Sequence, residues 1–315
     1  MTTSLPDVDA VTDDLPTDPI PAVASRPERR PRRRPSLRID AAPTGRKGRL
    51  RRVGLRVLSV AIFLVAWWAV TRFELVEPKF IPKPGAVYDR FQQSIHTETK
   101  GTADFPIVKD GIQNSFLWEH WWASMTRLLW GLFWSVAVGV PLGLLLVTVR
   151  WFRFLFEPYL DFLRALPPLA YFSLLILWFG INDTSKIWLL FLAGLAPIAL
   201  SVVSGARGIP RDRVLAAQAL GASRLQTIRH LVLPSVLPDF FNGLRLAVGF
   251  ILTTIVAAET TAGLPGIGGL AWVSKKTGNG DTVILCIFVI GATALVLDAI
   301  VKALDRRLVP WRGRG

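Results

Sequence analysis

Charged side chains inside otherwise uncharged, apolar stretches of the sequence are the ones best placed to do chemistry. The chief ones at or within these stretches are Arg127 and Arg245, with Glu259 and Asp298 as further candidates. An ionised group inside a bilayer is costly, so it generally marks a solute pathway or pairs with another charge. Four such residues are too few for the chain of Asp, Glu and His that relays protons through a proton-driven carrier.

The sequence contains no cluster of residues suited to other kinds of chemistry. The histidines His96, His120 and His230 are scattered, and the single cysteine Cys286 allows neither an internal disulfide nor a thiolate cluster. The sequence contains no G-x-x-x-x-G-K-[ST], and the glycine-rich stretch 263–269 lacks the Lys-Ser/Thr pair that would follow it. We therefore expect no metal site, no ATP site and no enzymatic activity in this chain.

The composition indicates which elements must position these charges. Hydrophobic residues make up 51% of the 315 residues and charged residues 19%, whereas soluble domains contain roughly 25% charged residues. A membrane-spanning helix needs about 20 mainly apolar residues. Six stretches meet this requirement, so we predict an all-α protein with about six transmembrane helices: 53–71, 128–149, 165–182, 187–206, 240–258 and 282–297.

The distribution of Lys and Arg predicts the orientation of these helices. With the N-terminus in the cytoplasm, the cytoplasmic segments contain 25 of these residues and the external segments contain 8, as the positive-inside rule requires. Both termini are therefore predicted to be cytoplasmic. This topology also accounts for the net charge of +14 without a nucleic-acid partner.

The chain divides into five predicted regions. They are a disordered basic cytoplasmic tail (1–52), a first transmembrane helix (53–73), an external segment (74–120), a core (121–309) and a short cytoplasmic tail (310–315). The basic part of the first tail has two readings. A nucleic-acid or twin-arginine targeting signal is one, and we favour the other, a tail that lies against anionic membrane lipid.

The most informative segment is the cytoplasmic loop 207–235, which we name the coupling segment. Ala, Leu and Gln favour a helix over 214–220, and Gly221 can end it in a left-handed conformation. Ser223 can then cap a second helix, which Pro234 is expected to close. An ordinary amphipathic surface turn is the alternative that periodicity alone leaves open.

The coupling segment resembles the "EAA---G---------I-LP" signature of permease subunits of bacterial ABC importers. Ala216, Ala217 and Gly221 match its first half, and Leu231-x-Leu233-Pro234 matches its end, with Leu215 standing where the family has glutamate. The resemblance implies that this segment contacts a separate ATPase. The residues expected to make or shape that contact are Leu215, Ala216, Ala217, Leu220, Gly221, Ala222, Ser223, Leu231, Leu233 and Pro234.

Further motifs resemble the nitrate, sulfonate and taurine branch of these permeases. Three are most similar to taurine permeases: Trp118-x-His120 with Ser124-x-x-Arg127, the run 217–223, and the ending 306–311. The resemblance covers roughly residues 76–311. It implies a type I, MetI-like permease fold in a prokaryotic inner or plasma membrane and import of taurine or an alkanesulfonate. Nitrate, bicarbonate or a vitamin precursor is the alternative solute, and a secondary transporter is a less favoured class.

The resemblance also implies the partners and the pathway residues. Two copies of this chain, or one copy with a related permease, would pair with ABC ATPase subunits, which use ATP and Mg, and an external binding protein would deliver the solute. Arg127 and Arg245 are candidates for contact with a sulfonate, although a structural role is favoured for each. Glu259 is a candidate for an outer gate or for contact with the binding protein, with a water-exposed carboxylate as the alternative. Pro141 lies inside a span and is a candidate for a functional bend.

Overall fold

A computed structural model describes residues 46–73, 76–77, 81–96, 117–262 and 265–311. Every regular element within these ranges is helical, which confirms the predicted all-α class. Residues 1–59 and 60–315 form separate units, and helix α1, Arg46–Arg72, has residues in both. Residues 1–45 of the predicted tail 1–52, the stretch 97–116 and residues 312–315 of the predicted tail 310–315 lie outside the described residues.

From α3 onward, the helices of the second unit follow one another with short connections. After α2 (Pro84–His96) come α3 (Leu117–Thr148), α4 (Arg150–Ala165), α5 (Pro168–Phe179), α6 (Asp183–Arg207), α7 (Arg211–Ala219) and α8 (Arg224–Thr227). A π-helical turn, Ile228–Val232, leads into α9 (Leu233–Ala262), which is followed by α10 (Ile267–Lys276) and α11 (Gly280–Leu308).

Four of the described helical stretches are long and apolar enough to cross a membrane. They are Leu117–Thr148, Asp183–Arg207, Arg224–Thr261 and Gly280–Leu308, which contain four of the predicted spans. The predicted span 165–182 corresponds to α5, which has 12 residues and reaches crossing length only together with α4, across a break with a bend of 102°. Pro167, which has no amide donor, stands at this break. The first predicted span, 53–71, lies within α1, which contains the apolar stretch Val57–Arg72.

Helix α6 lies at the centre of the second unit and packs against α3 and α9. Most of its apolar positions are buried, whereas few of those of α11 are. Small residues allow the close approach of α3: a Cβ added at Gly143 would lie 2.7 Å from both the Ala199 carbonyl oxygen and the Val202 Cβ. Small residues spaced four apart commonly mediate such contacts between membrane helices.

Candidate functional sites

The first half of the coupling segment forms the predicted helix and glycine stop. Helix α7 is followed by Gly221 at a φ of +75°. The amide of Ala222 donates to the Ala217 carbonyl at 3.0 Å, and the amide of Gly221 donates to the Gln218 carbonyl at 2.9 Å. These two bonds define a Schellman motif, in which glycine supplies the left-handed residue after the helix.

The second half of the coupling segment begins as predicted and ends differently. Ser223 caps α8 in a capping box. Its backbone amide donates to the side-chain oxygen Gln226 Oε1 at 2.8 Å, and its hydroxyl accepts from the backbone amide of Gln226 at 3.3 Å. Pro234 does not close this helix, because the chain stays helical from Arg224 to Thr261. The π-helical turn before α9 widens the backbone and leaves room for the proline ring, which then lies in the first turn of α9.

The surface of α7 and α8 is exposed and partly apolar. None of the residues of either helix is buried. Three leucines stand out on this surface, with exposed fractions of 50% for Leu215, 88% for Leu220 and 73% for Leu225. Behind them, Leu231 and Pro234 line a cleft of about 430 Å³ that also includes Trp311. Exposed apolar groups on a compact polar projection are typical of a contact surface for another protein.

The second site lies at the end of the molecule that is predicted to be external, where α3, α6, α9 and α10 meet. We name it the outer cluster and define it as Ser124, Arg127, Asp183, Lys186 and Glu259, together with the backbone of 265–268. Sequence reasoning treated Arg127 and Glu259 as separate candidates. The structure brings them together, with Arg127 Nη1 at 2.8 Å from Glu259 Oε1.

Glu259 is the centre of the outer cluster and is completely buried. Its two carboxylate oxygens accept hydrogen bonds from the Ser124 hydroxyl at 2.7 and 2.9 Å, and Oε2 also accepts from the Gly268 amide at 2.9 Å. The Gly268 amide belongs to the first turn of α10, so the carboxylate faces the positive end of that helix. The alternative of a water-exposed carboxylate is therefore wrong.

Arg127 connects the outer cluster to two further elements. Its Nε lies 2.8 Å from Asp183 Oδ1 at the start of α6, and its Nη1 donates to the Pro265 carbonyl at 2.5 Å. His120, Ser124 and Arg127 lie on one face of α3 because they are spaced by four and three residues. The amide of Ile267 donates to the Ser124 hydroxyl at 2.9 Å, which fixes the start of α10 on this face.

Lys186 is a buried member of the outer cluster that sequence reasoning did not name as a site residue. It was counted as one external positive charge between two spans, whereas its side chain is completely buried in the first turn of α6. It interacts electrostatically with Arg127, Glu259 and Asp183. The sequence feature that could have indicated this position is the helix cap at Asn182. The Asn182 side chain accepts from the backbone amide of Ser185 at 3.2 Å, so α6 begins early enough to place Lys186 inside the span.

The remaining candidates lie away from the outer cluster. Arg245 of α9 is about half exposed and places its Nε 2.9 Å from Asp298 Oδ1 of α11, and Lys302 pairs with the other oxygen of Asp298. Arg245 thus joins neither Arg127 nor Glu259. Helix α3 continues through Pro141 to Thr148, so the functional bend proposed at this proline stays a prediction.

Comparison with known proteins identifies the family. Residues 135–310 match the model of the binding-protein-dependent transport system inner membrane component. The chain belongs to this family. It is a permease subunit of a multi-pass importer in the plasma membrane, and it works with an ATPase and a binding protein.

Curated relatives of this permease carry several solutes in their names. The chain is 36% identical to the taurine transport system permease protein TauC of Escherichia coli, over 84% of this chain and 91% of TauC. It is 34% identical to the nitrate import permease protein NrtB of Leptolyngbya laminosa, over 60% of this chain and 67% of NrtB. It is 31% identical to the bicarbonate transport system permease protein CmpB of Synechococcus elongatus, over 68% of this chain and 78% of CmpB.

Solved structures of importers share the fold of this permease. The inward-facing MetNI methionine ABC transporter matches with a TM-score of 0.50 and 19% identity, over 60% of this chain and 92% of that one. An amino acid ABC transporter with histidines matches with a TM-score of 0.50, 15% identity and the same coverage. These likenesses support the MetI-like permease fold expected from the sequence.

Proposed function

We propose that this permease imports taurine or a related alkanesulfonate. The observation that carries the proposal is the 36% identity to a taurine permease over most of both chains. The motif at 118–127 supports it, because His120, Ser124 and Arg127 of that motif all contact the outer cluster or the start of α10. Nitrate and bicarbonate are the second candidates, favoured by the relatives named for those anions.

The energy for transport comes from a separate ATPase that uses ATP and Mg and contacts the coupling segment. Support for this contact comes from the exposed leucines Leu215, Leu220 and Leu225. The Schellman motif and the capping box stiffen the segment, because they satisfy backbone groups that a helix end otherwise leaves open. The continuous helix from Arg224 to Thr261 gives a rigid connection from this segment to Glu259 in the outer cluster.

The permease acts as a pair of identical copies. Arg245 supports this arrangement, because its charged side chain is 43% exposed on a helix of membrane-crossing length. A charged group at such a position generally avoids lipid hydrocarbon. A second copy, with a water-filled pathway between the two, provides a surface on which this side chain remains hydrated.

Growth on a defined sulfur source tests the solute. A strain that lacks the gene should fail to grow on taurine as sole sulfur source and should grow normally on sulfate, and the intact gene should restore growth on taurine. Binding of taurine by the accompanying solute-binding protein should give the same answer. Normal growth of the deletion strain on taurine, together with binding of nitrate or bicarbonate by that protein, would reject the taurine assignment in favour of the second candidates.

A further inference from the structure

Lys186 is a buried cation that lacks a hydrogen-bond acceptor. Its side chain has no exposed surface, and its Nζ donates to no acceptor among the described residues. Burial of an ammonium group is costly unless an anion or several hydrogen-bond acceptors surround it. The position of Lys186 therefore needs an explanation beyond packing.

The acidic residues near Lys186 are already occupied. Glu259 Oε1 accepts from Ser124 and Arg127, and Oε2 accepts from Ser124 and Gly268. The Asp183 carboxylate pairs with Arg127 Nε, and the Asp183 side chain is 59% exposed. Among the buried side chains of the outer cluster, two are cations and one is a carboxylate, so one positive charge is left without a buried counter-ion.

Two helix N-termini add to this positive potential. Helix α6 begins at Asp183, three residues before Lys186, and α10 begins at Ile267 against the Glu259 carboxylate. Each N-terminus carries a partial positive charge and is suited to an anion. The buried lysine, the buried arginine and two helix ends thus converge on one region that holds a single buried carboxylate.

We propose that the outer cluster is a binding site for a small oxyanion and that Lys186 is its principal ligand. One oxyanion would supply the acceptor that Nζ lacks. The sulfonate group fits this chemistry, and in that respect the inference rests on the proposed function.

Binding of methanesulfonate, which has a sulfonate group but no ammonium group, tests this site. The permease is purified with its ATPase subunits in lipid nanodiscs, and its melting temperature is followed as methanesulfonate replaces chloride at constant ionic strength. Lys186→Met removes the charge at nearly constant volume, and Lys186→Arg retains it. Lys275→Met is the matched control, because Lys275 is an exposed lysine of α10 that stacks on Trp272.

The expected result is a saturable rise in the melting temperature of the wild type and of Lys275→Met. Lys186→Met should require at least about tenfold more methanesulfonate, and Lys186→Arg should lie between the two. A wild type with no saturable response, or equal midpoints for the wild type and Lys186→Met, overturns the site. If Lys186→Met does not assemble, Lys186→Arg provides the test. A midpoint for Lys186→Arg that equals the wild-type midpoint, both for methanesulfonate and for nitrate, overturns the site.

Transport measurements separate this inference from the proposed function. Unchanged ATP-dependent uptake with an unchanged KM in Lys186→Met rejects the oxyanion site and leaves the importer assignment intact. Absence of ATP-dependent taurine uptake in the wild type, with saturable methanesulfonate binding retained, rejects the proposed solute and leaves the site intact.

Discussion

The Arg127 guanidinium and the Glu259 carboxylate form an ion pair of 2.8 Å in which the exposed fractions are 3% and 0%. The pair joins α3 to α9, and through the Gly268 amide and the Pro265 carbonyl it also fixes the start of α10. An ion pair this deeply buried is strongly coupled, because removal of one partner leaves the other charged and poorly solvated. The pair therefore sets the geometry of the outer cluster.

A double-mutant cycle should measure this coupling. Arg127→Met and Glu259→Gln should each lower the free energy of unfolding by about 3–5 kcal/mol. Their interaction energy should be about 1–3 kcal/mol, since the two residues are in direct contact. Unfolding in mixed micelles by SDS titration is the measurement.

The exposed pair Arg164 and Asp161 is the control, and its interaction energy should be less than about 1 kcal/mol. Equal interaction energies for the two pairs would contradict the structural role of burial.

The stop at Gly221 should be necessary for coupling and not for insertion. A Cβ at Gly221 meets no atom within 4 Å, so only its φ of +75° opposes a side chain. Gly221→Leu should cost about 1–2 kcal/mol locally, and it should leave the protein in the membrane while substrate-stimulated ATP hydrolysis and uptake are lost. Gly221→Asn is the control and should retain part of the uptake, because asparagine tolerates this conformation better. Normal uptake by Gly221→Leu would refute the assignment.

Ala217→Asp should have a similar outcome for a different reason. Ala217 is half-buried in α7, and its carbonyl accepts the bond that closes the Schellman motif. An aspartate there introduces a charge at the surface expected to meet the ATPase. We expect normal membrane insertion with loss of ATP-dependent uptake. Substrate-stimulated ATP hydrolysis at the wild-type rate would contradict this expectation.

Leu220 should matter for assembly more than for stability. Its side chain is 88% exposed, so Leu220→Asp should change the free energy of unfolding by no more than about 0.5 kcal/mol. The same change should weaken co-purification of the ATPase subunits, because an apolar contact is replaced by a charge. Gln218→Asp, on the same exposed helix, is the control for added charge. Full recovery of ATPase with Leu220→Asp would show that this leucine lies outside the contact.

Cysteine labelling should report the predicted orientation. The natural Cys286 is completely buried, so an impermeant maleimide should not react with the wild type. Leu220→Cys should be labelled only in inside-out vesicles, and Lys276→Cys, exposed on α10, only from the outside. Labelling of Leu220→Cys from the cell exterior would reverse the topology and remove the ATPase from its proposed surface.

Local chemistry made the coupling segment predictable. Gly221 and Ser223 each act on their own neighbours, through a left-handed residue and a side-chain cap, so their residue types were enough to place them. Pro234 misled the prediction, since whether a proline ends a helix depends on the backbone before it, and here a π-helical turn precedes it. The sequence also did not predict the break between α4 and α5, because the predicted span 165–182 already includes Pro167.

Tertiary contacts made the outer cluster hard to predict. Arg127 and Glu259 are 132 residues apart in the sequence, and Lys186 comes from a third helix. Charge counting assigned Lys186 to an external connection, and nothing in its immediate sequence shows that the start of α6 is covered by α3 and α9. Single sequences reveal such charges as candidates, and only the packing of helices shows which of them meet.

Reconstituted transport tests the central claim, that a separate ATPase drives this permease through the coupling segment. Proteoliposomes containing the permease, its ATPase subunits and ATP with Mg should accumulate radiolabelled taurine when the binding protein is supplied on the opposite side. Omission of the ATPase, omission of ATP or the change Gly221→Leu should each abolish accumulation. Accumulation by the permease alone, with no ATPase subunit in the membrane, would contradict the account.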